Sequence, residues 1–278
     1  MREISLAAIK QAATSVYDAA IRTPLVRLEL PFPTATGTLT PDVYLKLEAL
    51  QPIGSFKIRG AWNAVRALPR ETLARGVWTV SAGNAAQGVA FAARRAGAPC
   101  SVMVMDTTPQ TKLRSIERLG ATIVQASYDE CWRTVEQHGS DRMMGHFVHP
   151  FDDDLFIAGN GTAGLEILDD LPEVDTIIAP LGGGGLLAGI GAAARARKPG
   201  IRIFAAEPET AAPLATSLTR GEPSYFKEWT ASFVDGAGGR SVLPTMWPLL
   251  KTLVDGSIVV SLDEVRDAMK RTAERVHV

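Results

Sequence analysis

Three short segments of this chain hold residues whose types and spacing suit chemistry. The first, Lys46-Leu47-Glu48-Ala49-Leu50-Gln51-Pro52-Ile53-Gly54-Ser55-Phe56-Lys57-Ile58-Arg59-Gly60-Ala61, sets a lysine just past a Pro/Gly turn. An expected helix opens at Ser55. Cations are disfavoured in a first helical turn, so the helix dipole and the apolar Phe56 should both lower the Lys57 pKa. A lysine that loses its proton near neutral pH is a nucleophile able to form an imine with a carbonyl compound. Taken by itself, a lysine after Gly-Ser-Phe is more commonly a solvated surface residue.

The second segment, Thr79-Val80-Ser81-Ala82-Gly83-Asn84-Ala85-Ala86-Gln87-Gly88, reads as a strand running into a helix of small residues. Ser81, Gly83, the Asn84 amide and the free N–H groups of the helix start suit a carboxylate. An ordinary strand-to-helix turn with Asn84 as N-cap explains the same residues and is the simpler reading of this segment alone. In the third, Ile177-Ile178-Ala179-Pro180-Leu181-Gly182-Gly183-Gly184-Gly185-Leu186-Leu187-Ala188, four glycines stand between a strand and a helix. Backbone amides without Cβ atoms can wrap a phosphate there, with the helix dipole behind them. A dinucleotide loop competes for this segment: Gly183 to Ala188 fits G-x-G-x-x-A, and the strand Ile201 to Ala206 ends at Glu207, where a ribose ligand belongs. That reading leaves the first two segments unused.

The elements that must position these residues follow a βα rhythm. Strands are expected at Val77–Ser81, Ser101–Met105, Thr122–Gln125 and Phe147–His149, with helices at Ala85–Arg95, Pro109–Leu119 and Asp129–His138. A second series places helices at Thr162–Leu168 and Leu186–Ala196 and strands at Asp175–Pro180 and Ile201–Ala206. Parallel sheets with helical crossovers result, in two α/β lobes. The Pro- and Thr-rich stretch Pro31 to Pro41 reads as a surface loop.

Composition agrees with this class. The chain has 278 residues, 46% apolar and 21% charged, more than one ordinary core organises. Lys and Arg number 29 against 30 Asp and Glu, a net charge of -1 that argues against nucleic acid. Two cysteines, Cys100 and Cys131, are too few for a disulfide framework or zinc site. The start lacks the apolar core of a signal peptide, and no run of about 18 apolar residues appears, so the expected location is cytoplasmic and membrane-free.

In this order and at these separations the three segments resemble the fold-type II pyridoxal-phosphate (PLP) enzymes, within them the serine/threonine dehydratase (threonine ammonia-lyase) and serine racemase branch. Ile21-Arg22-Thr23-Pro24-Leu25, His149-Pro150-Phe151-Asp152-Asp153, Ile157-Ala158-Gly159-Asn160-Gly161-Thr162 and Ala206-Glu207-Pro208-Glu209 extend the resemblance over nearly the whole chain. The cysteine synthase branch would carry Lys-Asp-Arg and Thr-Ser-Gly-Asn-Thr-Gly where this chain has Lys57-Ile58-Arg59 and Ser81-Ala82-Gly83-Asn84-Ala85.

The resemblance implies a two-lobed α/β fold like the tryptophan synthase β subunit, with a large PLP-binding domain from 1–68 and 149–278 and a small domain from 69–148. It implies that Lys57 carries PLP as a Schiff base, that Phe56 packs on the pyridine ring and that Asn84 bonds the ring hydroxyl. Gly182, Gly183, Gly184, Gly185 and Leu186 would hold the phosphate, and Ser81, Ala82, Gly83, Asn84 and Ala85 the carboxylate of a small amino-acid substrate. The implied reaction is β-elimination of L-threonine or L-serine to a 2-oxo acid and ammonia, by a homodimer or higher homo-oligomer. Ala82 stands where racemases of the family place a serine, so elimination is expected over racemisation.

Three departures bear on the transfer. Ala85 replaces a usual histidine, and Pro213 stands where some relatives place a metal-binding Asp near Glu207, so no metal site of that kind is expected. Ser261-Leu262-Asp263-Glu264 forms a capping box whose helix is expected to run to Val278, whereas relatives continue with a strand and helix that supply a Ser, Thr or Cys to the pyridine nitrogen. Beside the dehydratase reading stand a truncated or vestigial PLP-fold protein without turnover and a nicotinamide oxidoreductase.

Overall fold

A computed structural model describes residues 2–29 and 41–278; the expected loop from Pro31 lies outside them except for Pro41. Helix α1 (Leu6–Ala13) starts where the Ser5 side chain accepts the Ala8 N–H. A hairpin of β1 (Leu25–Leu28) and β2 (Val43–Lys46) follows, then α2 (Lys57–Arg66) and α3 (Arg70–Ala74). The next run is β3 (Val77–Val80), α4 (Asn84–Ala96), β4 (Cys100–Met105), α5 (Gln110–Glu117), β5 (Thr122–Ala126), α6 (Tyr128–Gln137) and β6 (His146–Phe147). Its strands form a parallel sheet in the order β5-β4-β3-β6.

The chain continues through α7 (Asp154–Asp170), β7 (Thr176–Pro180), α8 (Gly185–Arg197), β8 (Arg202–Pro208), α9 (Pro213–Arg220), α10 (Trp247–Leu253), β9 (Gly256–Val260) and α11 (Leu262–Val276). A second parallel sheet has the order β7-β8-β9. Parallel neighbours need crossovers, and α4, α8 and their companions supply them. Among the described residues no helix is long and apolar enough to cross a membrane.

The expected strands and helices of the βα rhythm are present, with several shifted ends. The helix expected at Thr162–Leu168 begins at Asp154, where the Asp153 side chain accepts the Phe156 N–H. Gly159, Gly161 and Gly164 weaken its apparent helicity in sequence, but they are where helices meet. A Cβ on Gly159 would lie 2.4 Å from the Arg59 carbonyl oxygen on α2, and one on Gly189 of α8 would lie 2.4 Å from the Ile157 carbonyl oxygen. Every residue from Phe156 to Leu168 is buried, so α7 is wrapped on all sides. The strand expected at Phe147–His149 is His146–Phe147, and the His149 ring instead takes the Asp152 N–H on Nδ1 at 2.8 Å. The last helix has the expected capping box but ends at Val276, with His277 in the left-handed region at φ 60°.

Candidate active site

Helix α2 begins at Lys57 itself, with Phe56 as N-cap, rather than at Ser55. Ser55 caps nothing, and its buried Oγ has no partner. The preceding turn at Gly54 has φ +72°, a conformation glycine adopts without a Cβ clash. Lys57 Nζ donates to the Pro150 carbonyl oxygen at 2.6 Å and lies over the Phe56 and Phe156 rings at 5.3 and 5.4 Å. Among the described residues it forms no carboxylate ion pair, unlike Lys46 and Arg59. Burial pulls its pKa down to about 8, the desolvation expected beside the apolar Phe56.

A cleft of about 420 Å³ opens in front of Lys57 and is lined by residues from both sheets' surroundings. The β3–α4 turn brings Ser81, Ala82, Gly83, Asn84 and Ala85 to one wall. Gly83, rather than Asn84, is the N-cap of α4, and its N–H bonds to Ser81 Oγ at 3.1 Å. Asn84 is the first helical residue, with an exposed side chain free to meet a ligand. A larger groove of about 800 Å³ lies between α11 and the β2 region, with mostly apolar walls and neither Lys57 nor the glycine run.

The glycine run forms the opposite wall. A Cβ on Gly183 would fall 2.1 Å from the Phe151 ring, and one on Gly182 would fall 2.8 Å from the Gly236 carbonyl oxygen. Gly184 has φ +91° and is the N-cap of α8, which begins at Gly185 rather than Leu186. These positions exclude side chains and leave backbone N–H groups at a helix start, an arrangement that suits a phosphate. Gly182 and Gly183 line the cleft directly, whereas Gly184, Gly185 and Leu186 stand at the head of α8 behind them.

Pro150, Phe151, Lys112, Asp235 and the glycines 236, 238 and 239 also line the cleft and were not singled out as site residues from sequence. The Gly236-Ala237-Gly238-Gly239 run was a visible signal, but no adjoining strand–helix pattern marked it. The dinucleotide alternative fails at Glu207. Its fully buried carboxylate accepts the Leu214 and Ala215 N–H groups at 2.8 Å and the Ser257 hydroxyl at 2.5 Å, capping α9 at Pro213. Burial pushes its pKa up, and both its oxygens are already taken by these donors. His138, His149 and Asp152 gather their ligand atoms within 4.8 Å, but His149 Nε2 already meets the Val135 carbonyl and Nδ1 takes backbone N–H groups.

Behind Lys57, Arg59 is fully buried. It pairs with Glu48 at 2.8 Å and Glu166 at 2.6 Å and donates to Thr162 at 3.0 Å. Burial lowers the Arg59 pKa, but the hydrogen bonds and charges of Glu48 and Glu166 outweigh it and leave a net rise. Lys46 and the Tyr17 hydroxyl also meet Glu166, at 2.6 and 2.7 Å.

An α/β chain with two parallel sheets and a desolvated lysine facing a glycine-lined helix start has an arrangement that suits a phosphorylated carbonyl compound. The pattern of the pyridoxal-phosphate dependent enzymes matches residues 16–278, and the chain belongs to that family. It is 41% identical over 235 residues to an L-threonine ammonia-lyase of Geobacter sulfurreducens, covering 84% of this chain and 58% of that one. It is 36% identical to human serine racemase over 98% of this chain and 80% of that protein. The solved maize serine racemase superposes with a TM-score of 0.87 at 33% identity, covering 100% of this chain and 83% of that one. The chain thus spans less than two thirds of the Geobacter relative's length.

Proposed function

We propose that this chain binds PLP covalently through Lys57 Nζ and catalyses β-elimination of a hydroxy amino acid such as L-threonine or L-serine, giving a 2-oxo acid and ammonia. The observation that carries this reading is Lys57, whose only polar partner among the described residues is the Pro150 carbonyl and whose pKa is drawn down to about 8 beside a glycine cradle. The residues present fit the cofactor: a Cβ at Gly182 or Gly183 would fill the cradle, and the buried Ser55 Oγ lacks a partner. When bound, PLP supplies an electron sink for the charge that develops at the substrate α-carbon.

The protein's own groups do the rest. Gly182, Gly183, Gly184, Gly185 and Leu186 would hold the phosphate with backbone N–H groups. Phe56 and Asn84 would hold the ring and its hydroxyl. Ser81, Ala82, Gly83, Asn84 and Ala85 take the substrate carboxylate. Neutral Lys57 would hold or accept a proton at Nζ, the role of base toward a substrate α-proton, and a pKa near 8 suits that exchange around neutral pH. Ala82 offers no hydroxyl to return a proton from the other face.

The same reading groups 1–68 with 149–278 as the PLP-binding domain and 69–148 as the smaller one, supported by the confinement of β3 to β6 to one sheet. It also includes a cytoplasmic location and a homodimer or larger homo-oligomer, which sedimentation would measure. The test of function combines visible absorption, borohydride fixation and peptide mapping with assays of L-threonine and L-serine. Label on the Lys57 peptide with 2-oxo acid release supports the proposal. Label without turnover supports the vestigial reading, and no label removes both. With L-serine, pyruvate should far exceed D-serine, and Ala82→Ser should raise the D-serine share.

A further inference from the structure

Residues 225–240 leave the β8–β9 half of the molecule, cross the cleft and attach to the four-stranded half at three points. The Tyr225 hydroxyl donates to Glu136 on α6 at 2.7 Å, and the Trp132 indole N–H reaches the same carboxylate at 2.8 Å. The Arg240 guanidinium is sandwiched between Tyr128 of α6 at 4.2 Å and Trp229 at 4.1 Å. Lys112 of α5 pairs with Asp235. The segment is tied to itself by the Phe226 N–H to the Arg240 carbonyl at 2.9 Å and by the Trp229 indole N–H to the Gly238 carbonyl at 3.0 Å. It also presses on the glycine cradle, because the Gly236 carbonyl occupies the space a Cβ on Gly182 would need.

We propose that this segment is a strap across the cleft mouth and that Lys112 and Asp235 determine which molecules reach Lys57. Both residues line the cleft, and among the described residues they are, apart from Lys57, its only charged lining residues. Paired, they make a closed and nearly neutral mouth. Parted, they present one positive and one negative edge, matching the carboxylate and ammonium of an amino-acid zwitterion entering between them. The pair is exposed, so it exchanges readily with solvent, while the Arg240 sandwich keeps the strap seated between openings. This inference rests on the cleft being the reacting site, but its test needs neither cofactor nor turnover.

Cys100 and Cys131 are buried, so a thiol introduced by Ala82→Cys on the cleft wall reports entry by its alkylation rate. Full-length protein carrying this reporter would be treated with neutral iodoacetamide and anionic iodoacetate, with and without added PLP. Lys112→Gln and Asp235→Asn should each speed iodoacetamide entry about threefold. They should shift the iodoacetate-to-iodoacetamide ratio in opposite directions, down for Lys112→Gln and up for Asp235→Asn, by about twofold or more at low salt. The exchanged pair Lys112→Asp with Asp235→Lys should restore the slow rate and the original ratio. Arg240→Ala should speed both reagents alike, and thermal unfolding identifies any variant that has merely lost its fold. Unchanged rates in both single variants, or ratios moving the same way, would overturn the proposal, whereas absence of a PLP adduct would bear only on the proposed function.

Discussion

Lys57, half-buried at the cleft, and Arg59, fully buried, are basic residues two apart on one helix, yet their surroundings send them in opposite directions. Arg59 meets two carboxylates and stays charged; Lys57 meets one backbone carbonyl and two aromatic rings and readily loses its proton. Burial opposes the charge in both cases. What differs is compensation, and the comparison shows how one turn of helix holds both a structural anchor and a nucleophile. Full pairing fixes a group's charge state, and withholding a partner makes that state responsive to pH.

The largest expected effect comes from removing the uncompensated member. Lys57→Ala should abolish the visible PLP adduct and borohydride-fixed label and bring elimination below detection, while thermal stability holds or rises. A normal spectrum in that variant would break the comparison at its centre. Arg59→Leu should do the reverse, leaving Glu48 and Glu166 without their shared cation at a cost of about 3–5 kcal/mol in urea unfolding. Adding Glu166→Leu should recover part of that loss, since an apolar pair leaves less charge stranded.

A smaller effect is expected from Gly184→Asp. Its φ of +91°, the Leu250 methyl 2.9 Å from its Cβ position and the added negative charge all oppose phosphate binding. PLP affinity should fall at least tenfold by fluorescence titration, and the left-handed backbone and the Leu250 contact should also lower apo-protein stability by about 1–3 kcal/mol.

The last test separates the two cations by pH. Lys57 has a folded pKa of about 8, below its unfolded value of 10.5, so the folded apo-protein binds fewer protons between them and gains stability as pH rises through that window. PLP capture should accelerate as pH approaches 8 and level off above it. Glu166 moves the other way. Burial raises its pKa, but Arg59, Lys46 and Tyr17 outweigh that and depress it, so its contribution is present above its ordinary value of 4.5 and fades as pH falls through the depressed folded pKa. Stability measured from pH 3 to 10 should show both edges, and Lys57→Met should erase only the alkaline one.

The sequence disclosed the chemistry better than its mechanical support. That Lys57, Ser81 to Ala85, Gly182 and Gly183 deserve a common cleft was legible because each sits at a strand or turn feeding a helix, where short-range patterns are strong. Lys112 and Asp235 were not, because an exposed lysine in α5 and an aspartate in an irregular loop have no local signature of meeting. The beginning of α7 was obscured by glycines whose role is close contact with α2 and α8, a relation visible only in three dimensions. The fall of the Lys57 pKa was legible in part from the adjacent Phe56, whereas Phe156, about a hundred residues away in sequence, adds a second ring that only the fold brings close.

The glycine contacts between α2 and α7 also have a consequence in time. They join helices separated by about a hundred residues, and closing so long a loop costs chain entropy before any contact repays it. Local βα pairs should therefore form early and the junction late. During refolding, far-ultraviolet ellipticity should recover before the PLP absorption band, and simultaneous recovery would refute this order. Until the junction closes, Lys57 is an ordinary solvated lysine with its usual high pKa, so the reactive amine comes into being only as the last long-range contacts lock.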